Sequence, residues 1–177
     1  MIKAIALLAL AALASLLAYA ATRPDVFQVQ RSTRIQASAA KIHALIYDLH
    51  QFNTWNPYNK KDPAMQGSYE GPTQGPGAIF NFNGNKDVGS GRVTITAVQA
   101  DKVSMTLDMF EPFACHNAIE FTMRPQGDAT EVTWAMHGPS NFISKLMGVV
   151  FDMDKMVGRD FEAGLNSLKT LAETPGT

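Results

Sequence analysis

Side chains able to do chemistry are few in this 177-residue chain, and they are dispersed. The four histidines have neither HExxH nor HxH spacing, and the single cysteine, Cys115, excludes an internal disulfide and a cysteine-based metal cluster. The sequence has no glycine-rich phosphate loop and no GxSxG turn. We therefore predict no metal and no cofactor, and any catalysis must come from polar groups that face a cavity.

Asp154 and Asn117 are the candidates for such polar groups. Helical spacing places Asp154 between Val150 and Val157 on the stripe predicted to face a sheet, and strand alternation places Asn117 inward. A buried Asp154 could act as a general base if burial raised its pKa, with Asn117 as the orienting group. The alternative is a structural network in which Asp154 accepts hydrogen bonds from Asn117 or Trp134, because an unpartnered buried charge is costly.

One long helix is predicted for residues 142–171. Its apolar residues recur in steps of three and four, which is typical of a helix with one buried face: Leu146, Met147, Val150, Val157, Phe161, Leu165 and Leu168. Gly148, Gly158 and Gly164 lie inside it, and each costs about 1 kcal/mol relative to alanine. They indicate either close backbone approach or space left beside the helix.

The residues before this helix are predicted to form mostly strands. A strand at 26–36 precedes a short helix capped by Ser38, and residues 51–63 form a second short helix that breaks into an aromatic-rich segment. Alternation predicts further strands at 78–83, 88–99, 102–110, 114–124 and 130–138, with another short one at 67–69. Short turns make them antiparallel, with one apolar face that only the C-terminal helix is large enough to cover. The order predicts an α+β fold, in which a curved antiparallel sheet of about six or seven strands wraps around a long C-terminal helix.

The N-terminal residues 4–21 are apolar enough for a membrane. As a helix they extend roughly 27 Å, close to the hydrocarbon thickness of about 30 Å, which favours a single-pass anchor. The alternative is a cleaved signal peptide, because residues 18–20 have the small-x-small form of a cleavage site. We predict two parts, an anchor or signal segment at 1–22 and one domain at 23–177. Basic residues after the segment favour a cytoplasmic domain, whereas cleavage would export it.

The overall charge argues against nucleic-acid binding. The net charge is −1, the pI is near 6.4, and the basic residues form no run. A hydrophobic content of 46% fits one globular domain with a substantial core.

Six short strings resemble one known superfamily. They are Trp55-Asn56-Pro57, Asp62-Pro63-Ala64-Met65, Gly89-Ser90-Gly91-Arg92, Pro112-Phe113-Ala114-Cys115-His116-Asn117, Val132-Thr133-Trp134-Ala135-Met136 and Met153-Asp154-Lys155-Met156-Val157-Gly158. Together they resemble the bacterial polyketide cyclase/dehydrase-like branch of the SRPBCC (START-related, helix-grip) superfamily over residues 23–173. The resemblance implies a helix-grip fold that holds a hydrophobic ligand between the sheet and the long helix.

The predicted binding residues are those that the patterns place between sheet and helix. They are Phe80, Phe82, Met105, Leu107, Asn117, Ile119, Phe121, Trp134, Met136, Met147, Val150, Asp154 and Val157. Three aromatic residues, Trp55, Tyr58 and Tyr69, are predicted either to form a lip at the cavity mouth or simply to cap the end of the barrel.

Two main functions remain open. The first is a non-enzymatic carrier or sensor of a hydrophobic small molecule or lipid, held at a membrane by residues 4–21. The second is a polyketide cyclase or dehydratase-type lyase that uses Asp154 and Asn117. A partner-binding domain with a filled core is a third possibility. We favour the first because apolar lining residues are abundant and acid–base groups are scarce.

Overall fold

The computed structural model describes residues 2–174, except for the side chain of Val150. The predicted pocket residue Val150 therefore lies outside the described side chains. The elements follow the predicted order: α1 (Ile2–Ala21), β1 (Val26–Ile35), α2 (Ala39–Tyr47), α3 (Leu49–Trp55), α4 (Pro57–Lys61), β2 (Gln66–Glu70), β3 (Ile79–Asn83), β4 (Ser90–Val98), β5 (Lys102–Glu111), β6 (Cys115–Gln126), β7 (Ala129–Pro139), α5 (Phe142–Val150) and α6 (Met153–Glu173).

The seven strands form one antiparallel sheet in the order β1-β7-β6-β5-β4-β3-β2. This confirms the predicted α+β helix-grip architecture. Burial alternates along β6 and β7, so that Ile119, Phe121 and Trp134 face the interior while their neighbours along the strands are more exposed. The alternation follows from the two-residue repeat of a strand, which sends successive side chains to opposite faces.

The short helices α2 and α3 cover part of the inner face, so the prediction that the C-terminal helix alone covers it was wrong. Ser38 caps α2 by accepting a hydrogen bond from the Lys41 amide, and the apolar side of α2 enters the core. Trp55 at the end of α3 is fully buried, and its indole N–H donates to the Leu45 carbonyl at 2.8 Å. Trp55 is therefore a core residue and not part of a cavity mouth. Its N–H can be buried because it has a partner.

The C-terminal helix is broken, which corrects the single helix predicted for residues 142–171. Phe151 leaves the helical conformation at the end of α5, and Asp152 caps α6 by accepting from the Lys155 amide at 2.9 Å. An aspartate that satisfies a free amide in this way stabilises a new helix start. The apolar periodicity continues across the break, and so the sequence pattern alone concealed it.

Helix α6 is fixed to the sheet by an aromatic stack. The rings of Trp134 on β7 and Phe161 on α6 lie parallel, with centroids 4.1 Å apart and planes at 8°. A Cβ on Gly164 would lie 2.7 Å from Trp134 and 3.0 Å from Pro57, so this glycine permits the helix to approach. A Cβ on Gly158 would collide with the Arg31 guanidinium. Gly148 on α5 instead borders open space.

Alanine at Gly164 and at Gly148 should change stability in opposite directions. At Gly164 the new methyl group meets rigid rings, and overpacking of this kind costs about 1–3 kcal/mol, which outweighs the helix-propensity gain of about 1 kcal/mol. At Gly148 only the propensity gain remains. We expect the melting temperature of the full chain to fall for Gly164→Ala and to rise for Gly148→Ala. Equal shifts for the two variants would contradict the close packing at Gly164.

Candidate ligand-binding site

A cavity of about 1280 Å³ lies between the inner face of the sheet and helices α5 and α6. This exceeds the roughly 300–1,000 Å³ that is usual for small-molecule pockets. Its deep wall is apolar and includes Phe80, Val93, Ile119 and Trp134, all of which are buried. The structure therefore leaves space for a sizeable apolar molecule where the helix-grip arrangement predicts it.

Most of the residues predicted from sequence lie on this cavity. They are Phe80, Phe82, Leu107, Asn117, Ile119, Trp134, Met136, Met147, Asp154 and Val157. Met105 and Phe121 do not line it, because α2 and α3 bury them in the core behind the cavity. Tyr58 lines the cavity as well. Tyr69 does not line the cavity; it stacks on His50 with ring centroids 3.8 Å apart and is 42% exposed.

Asp154 is exposed, which corrects the prediction that it is buried against the sheet. Its side chain is 61% exposed, and it accepts hydrogen bonds from both terminal nitrogens of Arg31 on β1, at 3.0 and 3.1 Å. Glu162, two turns further along α6, accepts from Arg31 Nε at 2.8 Å. Arg31 holds the pKa of Asp154 below its usual value of 3.8, which makes this carboxylate a weaker base.

Asn117 faces the cavity as predicted, but it does not pair with Asp154. It is buried, and its amide donates to Cys115 Sγ at 3.5 Å. Burial raises the pKa of the Cys115 thiol, so the thiolate is disfavoured at neutral pH. The proposed acid–base pair of Asp154 and Asn117 is therefore not assembled.

A polar cluster that sequence reasoning missed lies on the cavity wall near α4. Lys61 Nζ is 2.7 Å from Asp160 Oδ2. The same ammonium nitrogen lies over the ring of Tyr58, at 5.3 Å from the ring centroid. Burial, with the adjacent Asp160 carboxylate as a second cause, raises the pKa of Tyr58. All three residues line the cavity. Nothing in the sequence signalled the cluster, because Asp160 is about one hundred residues from Tyr58.

Trp134 lines the cavity, but its indole N–H is buried within the protein. Within the described part of the chain, no atom accepts a hydrogen bond from its buried indole N–H. An unpaired buried donor costs about 1–3 kcal/mol.

The family of the protein follows from a sequence match that spans the whole sheet and α6. Residues 26–173 match the profile of the family described as polyketide cyclase / dehydrase and lipid transport. The chain belongs to this family. The resemblance seen in the short sequence strings is thereby confirmed, and the family is one of hydrophobic-ligand binders and cyclases. No curated protein matched the chain in sequence.

Solved structures of helix-grip proteins share the fold at low sequence identity. Ginseng major latex-like protein 151 from Panax ginseng is 13% identical, with 85% of this chain and 100% of that chain covered and a TM-score of 0.61. The di-domain ARO/CYC StfQ from the steffimycin biosynthetic pathway is 8% identical, with 84% and 51% covered and a TM-score of 0.58. Aha1 from Colwellia psychrerythraea is 18% identical, with 83% and 96% covered and a TM-score of 0.56. Identities this low establish the shared fold alone.

Helix α1 precedes this domain and contacts it at α5. It is 20 residues long, strongly apolar and almost entirely exposed, with only Ala20 buried. Its length and composition suit a membrane anchor or a signal sequence.

The ion pair of Asp154 with Arg31 should contribute modestly to stability, and in a pH-dependent way. Because the pKa of Asp154 is lowered in the folded state, the ion pair stabilises the fold fully above about pH 3.8. This stabilisation is lost as the pH falls through the lowered pKa of Asp154. We expect Asp154→Asn to reduce the melting temperature by a few degrees at most at pH 7, since the pair is exposed. The difference from wild type should vanish in acid.

Glu162→Gln is the matched control, because Glu162 binds the same guanidinium but does not line the cavity. A similar small effect for both variants fits a structural ion pair. If only Asp154→Asn loses ligand binding or turnover, and its melting temperature is unchanged, then Asp154 acts directly in the site.

Proposed function

We propose that residues 23–177 bind a hydrophobic small molecule or lipid in the cavity, and that residues 4–21 hold this domain at a membrane as a single-pass anchor. The observation that carries the proposal is the cavity of about 1280 Å³ with its apolar deep wall. Burying apolar surface there stabilises a complex by roughly 25 cal/mol per Å². The protein then acts as a carrier or sensor and not as an enzyme.

The polar groups of the cavity supply orientation for such a ligand. The Lys61 ammonium group on the cavity wall can donate to a carbonyl, ester or hydroxyl oxygen on an otherwise apolar molecule. A small number of placed polar groups within an apolar lining is the usual way in which pockets fix ligand orientation. The expected ligand therefore has a long apolar body and at least one hydrogen-bond acceptor.

The ligand class can be tested with a fatty acid that carries a photoreactive diazirine in its acyl chain. The full chain is reconstituted in phosphatidylcholine vesicles with this probe and irradiated, and the modified peptides are mapped by mass spectrometry. We expect adducts on cavity peptides of β5, β6 and β7. Adducts on α1 report membrane contact and serve as the internal standard.

Leu107→Lys should abolish the cavity adducts. Leu107 lines the cavity, and an apolar ligand would have to bury the introduced ammonium group, which is costly. We expect at least a tenfold loss, equivalent to about 1.4 kcal/mol of binding free energy. Thr106→Lys is the matched control, because Thr106 is adjacent on β5 and points to the outer face.

Two outcomes would overturn the proposal. One is labelling confined to α1, and the other is cavity labelling that Leu107→Lys leaves unchanged while both variants keep the wild-type melting temperature.

A second candidate is a cyclase or dehydratase, favoured by the cluster of Tyr58, Lys61 and Asp160 on the cavity wall. The raised pKa keeps Tyr58 protonated, so it could donate a proton to a departing hydroxyl group or to an enolate oxygen. Asp160, held by Lys61, could accept one. This set replaces the predicted pair of Asp154 and Asn117.

The enzymatic alternative predicts turnover that depends on Tyr58. The test substrate is a β-hydroxyacyl thioester, and the product is the enoyl thioester with release of water. If the cluster is catalytic, Tyr58→Phe should lower the rate by about 100-fold or more while the photoreactive fatty acid still labels the cavity. We expect instead that the wild-type protein gives no dehydration above the uncatalysed rate. A Tyr58-dependent rate would decide in favour of the enzyme.

A further inference from the structure

The mouth of the cavity lies at one end of the sheet. At that end β1, β4 and β6 begin, and β3, β5 and β7 finish. The exposed lining residues come from the connections at this end, among them Pro24, Phe113 and Ile143. The deep lining residues, such as Phe80 and Ile119, are buried further along the strands.

Helix α1 ends at the same place. Its last residue is Ala21, and Arg23 and Pro24 already line the cavity. Two extended residues span at most about 7 Å. The last turn of α1 also contacts the domain, because α1 packs against α5 and Ala20 is fully buried. If α1 crosses a bilayer, the mouth lies at the bilayer surface.

The exposed rim of the mouth combines charged residues, among them Arg23, Lys86 and Asp152, with large apolar side chains. Phe113 is 60% exposed, Ile143 59%, Met156 54% and Phe151 45%, and all four line the cavity. They come from three separate segments, the β5–β6 connection, α5 and the region around the α5–α6 break. Large apolar side chains that stay exposed around one opening indicate contact with another apolar surface. Helix α1, which is strongly apolar, packs against α5 beside this rim.

We propose that this rim rests in the interface of the bilayer that holds α1, so that the cavity opens directly to the boundary between headgroups and acyl chains. Apolar side chains of an interfacial segment enter this boundary by roughly 5–10 Å. The ligand is then a bilayer lipid or a molecule dissolved in the bilayer, which enters without crossing water. The inference rests on the proposed function for the nature of the ligand, and on α1 and the rim for the orientation.

The far end of the sheet provides an internal reference. Strand β6 has 12 residues, which extend about 40 Å at roughly 3.3 Å each. The exposed Asp128 in the β6–β7 turn therefore lies well away from the membrane in the proposed orientation. The orientation thus predicts a large difference in lipid contact between residues 113 and 128.

Site-specific fluorescence tests the orientation. Cys115 is replaced by serine, and an NBD label is attached to Phe113→Cys, to Ile143→Cys or to Asp128→Cys in the full chain. Each variant is reconstituted in phosphatidylcholine vesicles with and without lipids that carry a doxyl quencher on the acyl chain. We expect blue-shifted emission and several-fold stronger quenching at positions 113 and 143 than at position 128.

The alternative outcomes are distinct. Water-like emission and weak quenching at both rim positions would overturn the orientation. Blue-shifted emission that resists lipid quenching and grows with protein density would show a second protein copy on the mouth and would also overturn it. An intact mass that begins near Ala21 would remove the anchor and the orientation together.

Failure of this proposal is distinguishable from failure of the proposed function. Cavity adducts from the photoreactive fatty acid with an unquenched rim would leave the binding function intact and refute only the orientation. Two rim positions are labelled because one variant could fold poorly. The melting temperature identifies such a variant, and the other rim position then gives the result.

Discussion

The stacking of Phe161 on Trp134 is the contact on which the architecture depends. It holds α6 against β7 at van der Waals distance, and Gly164 makes room for it. Because α6 is fixed there, its N-terminal end and α5 extend over the remaining part of the sheet without filling the space below. The cavity is thus a consequence of tight packing at one end of the helix and of a break at the other. A straight helix would extend the close contact along its whole length.

The position of Asp154 in the first turn of α6 explains why its predicted role failed. Asp154 lies on the same stripe of α6 as Phe161, seven residues earlier, so helical spacing placed it on the face towards the sheet. The first turn lies beyond the closely packed part of the helix, and there Arg31 on β1 binds the exposed carboxylate. Asp160, six residues further along α6, also lines the cavity, and it pairs with Lys61.

Local patterns predicted the strands, their faces and most of the wall, because alternation along a strand determines which side chains point inward. Leu107 and Trp134 are examples, and both line the cavity. Pairings between distant segments were not predictable. The contacts of Asp154 with Arg31 and of Asp160 with Lys61 join residues about a hundred positions apart. The periodicity of apolar residues within one element does not indicate such contacts. Trp55 was misplaced for a related reason, since its partner carbonyl lies on a helix whose packing the sequence does not specify.

The position of α6 along β1 has a separate consequence for solubility. An edge strand exposes unpaired backbone groups that can recruit strands of other chains. Here α6 occupies that edge: Lys169 donates to the Arg34 carbonyl at 2.9 Å, and Glu173 accepts from the Gln36 amide at 2.8 Å. The opposite edge, β2, is a strand of only five residues. Covering one edge and keeping the other short leaves few unpaired backbone groups for strands of other copies, and so disfavours β-aggregation.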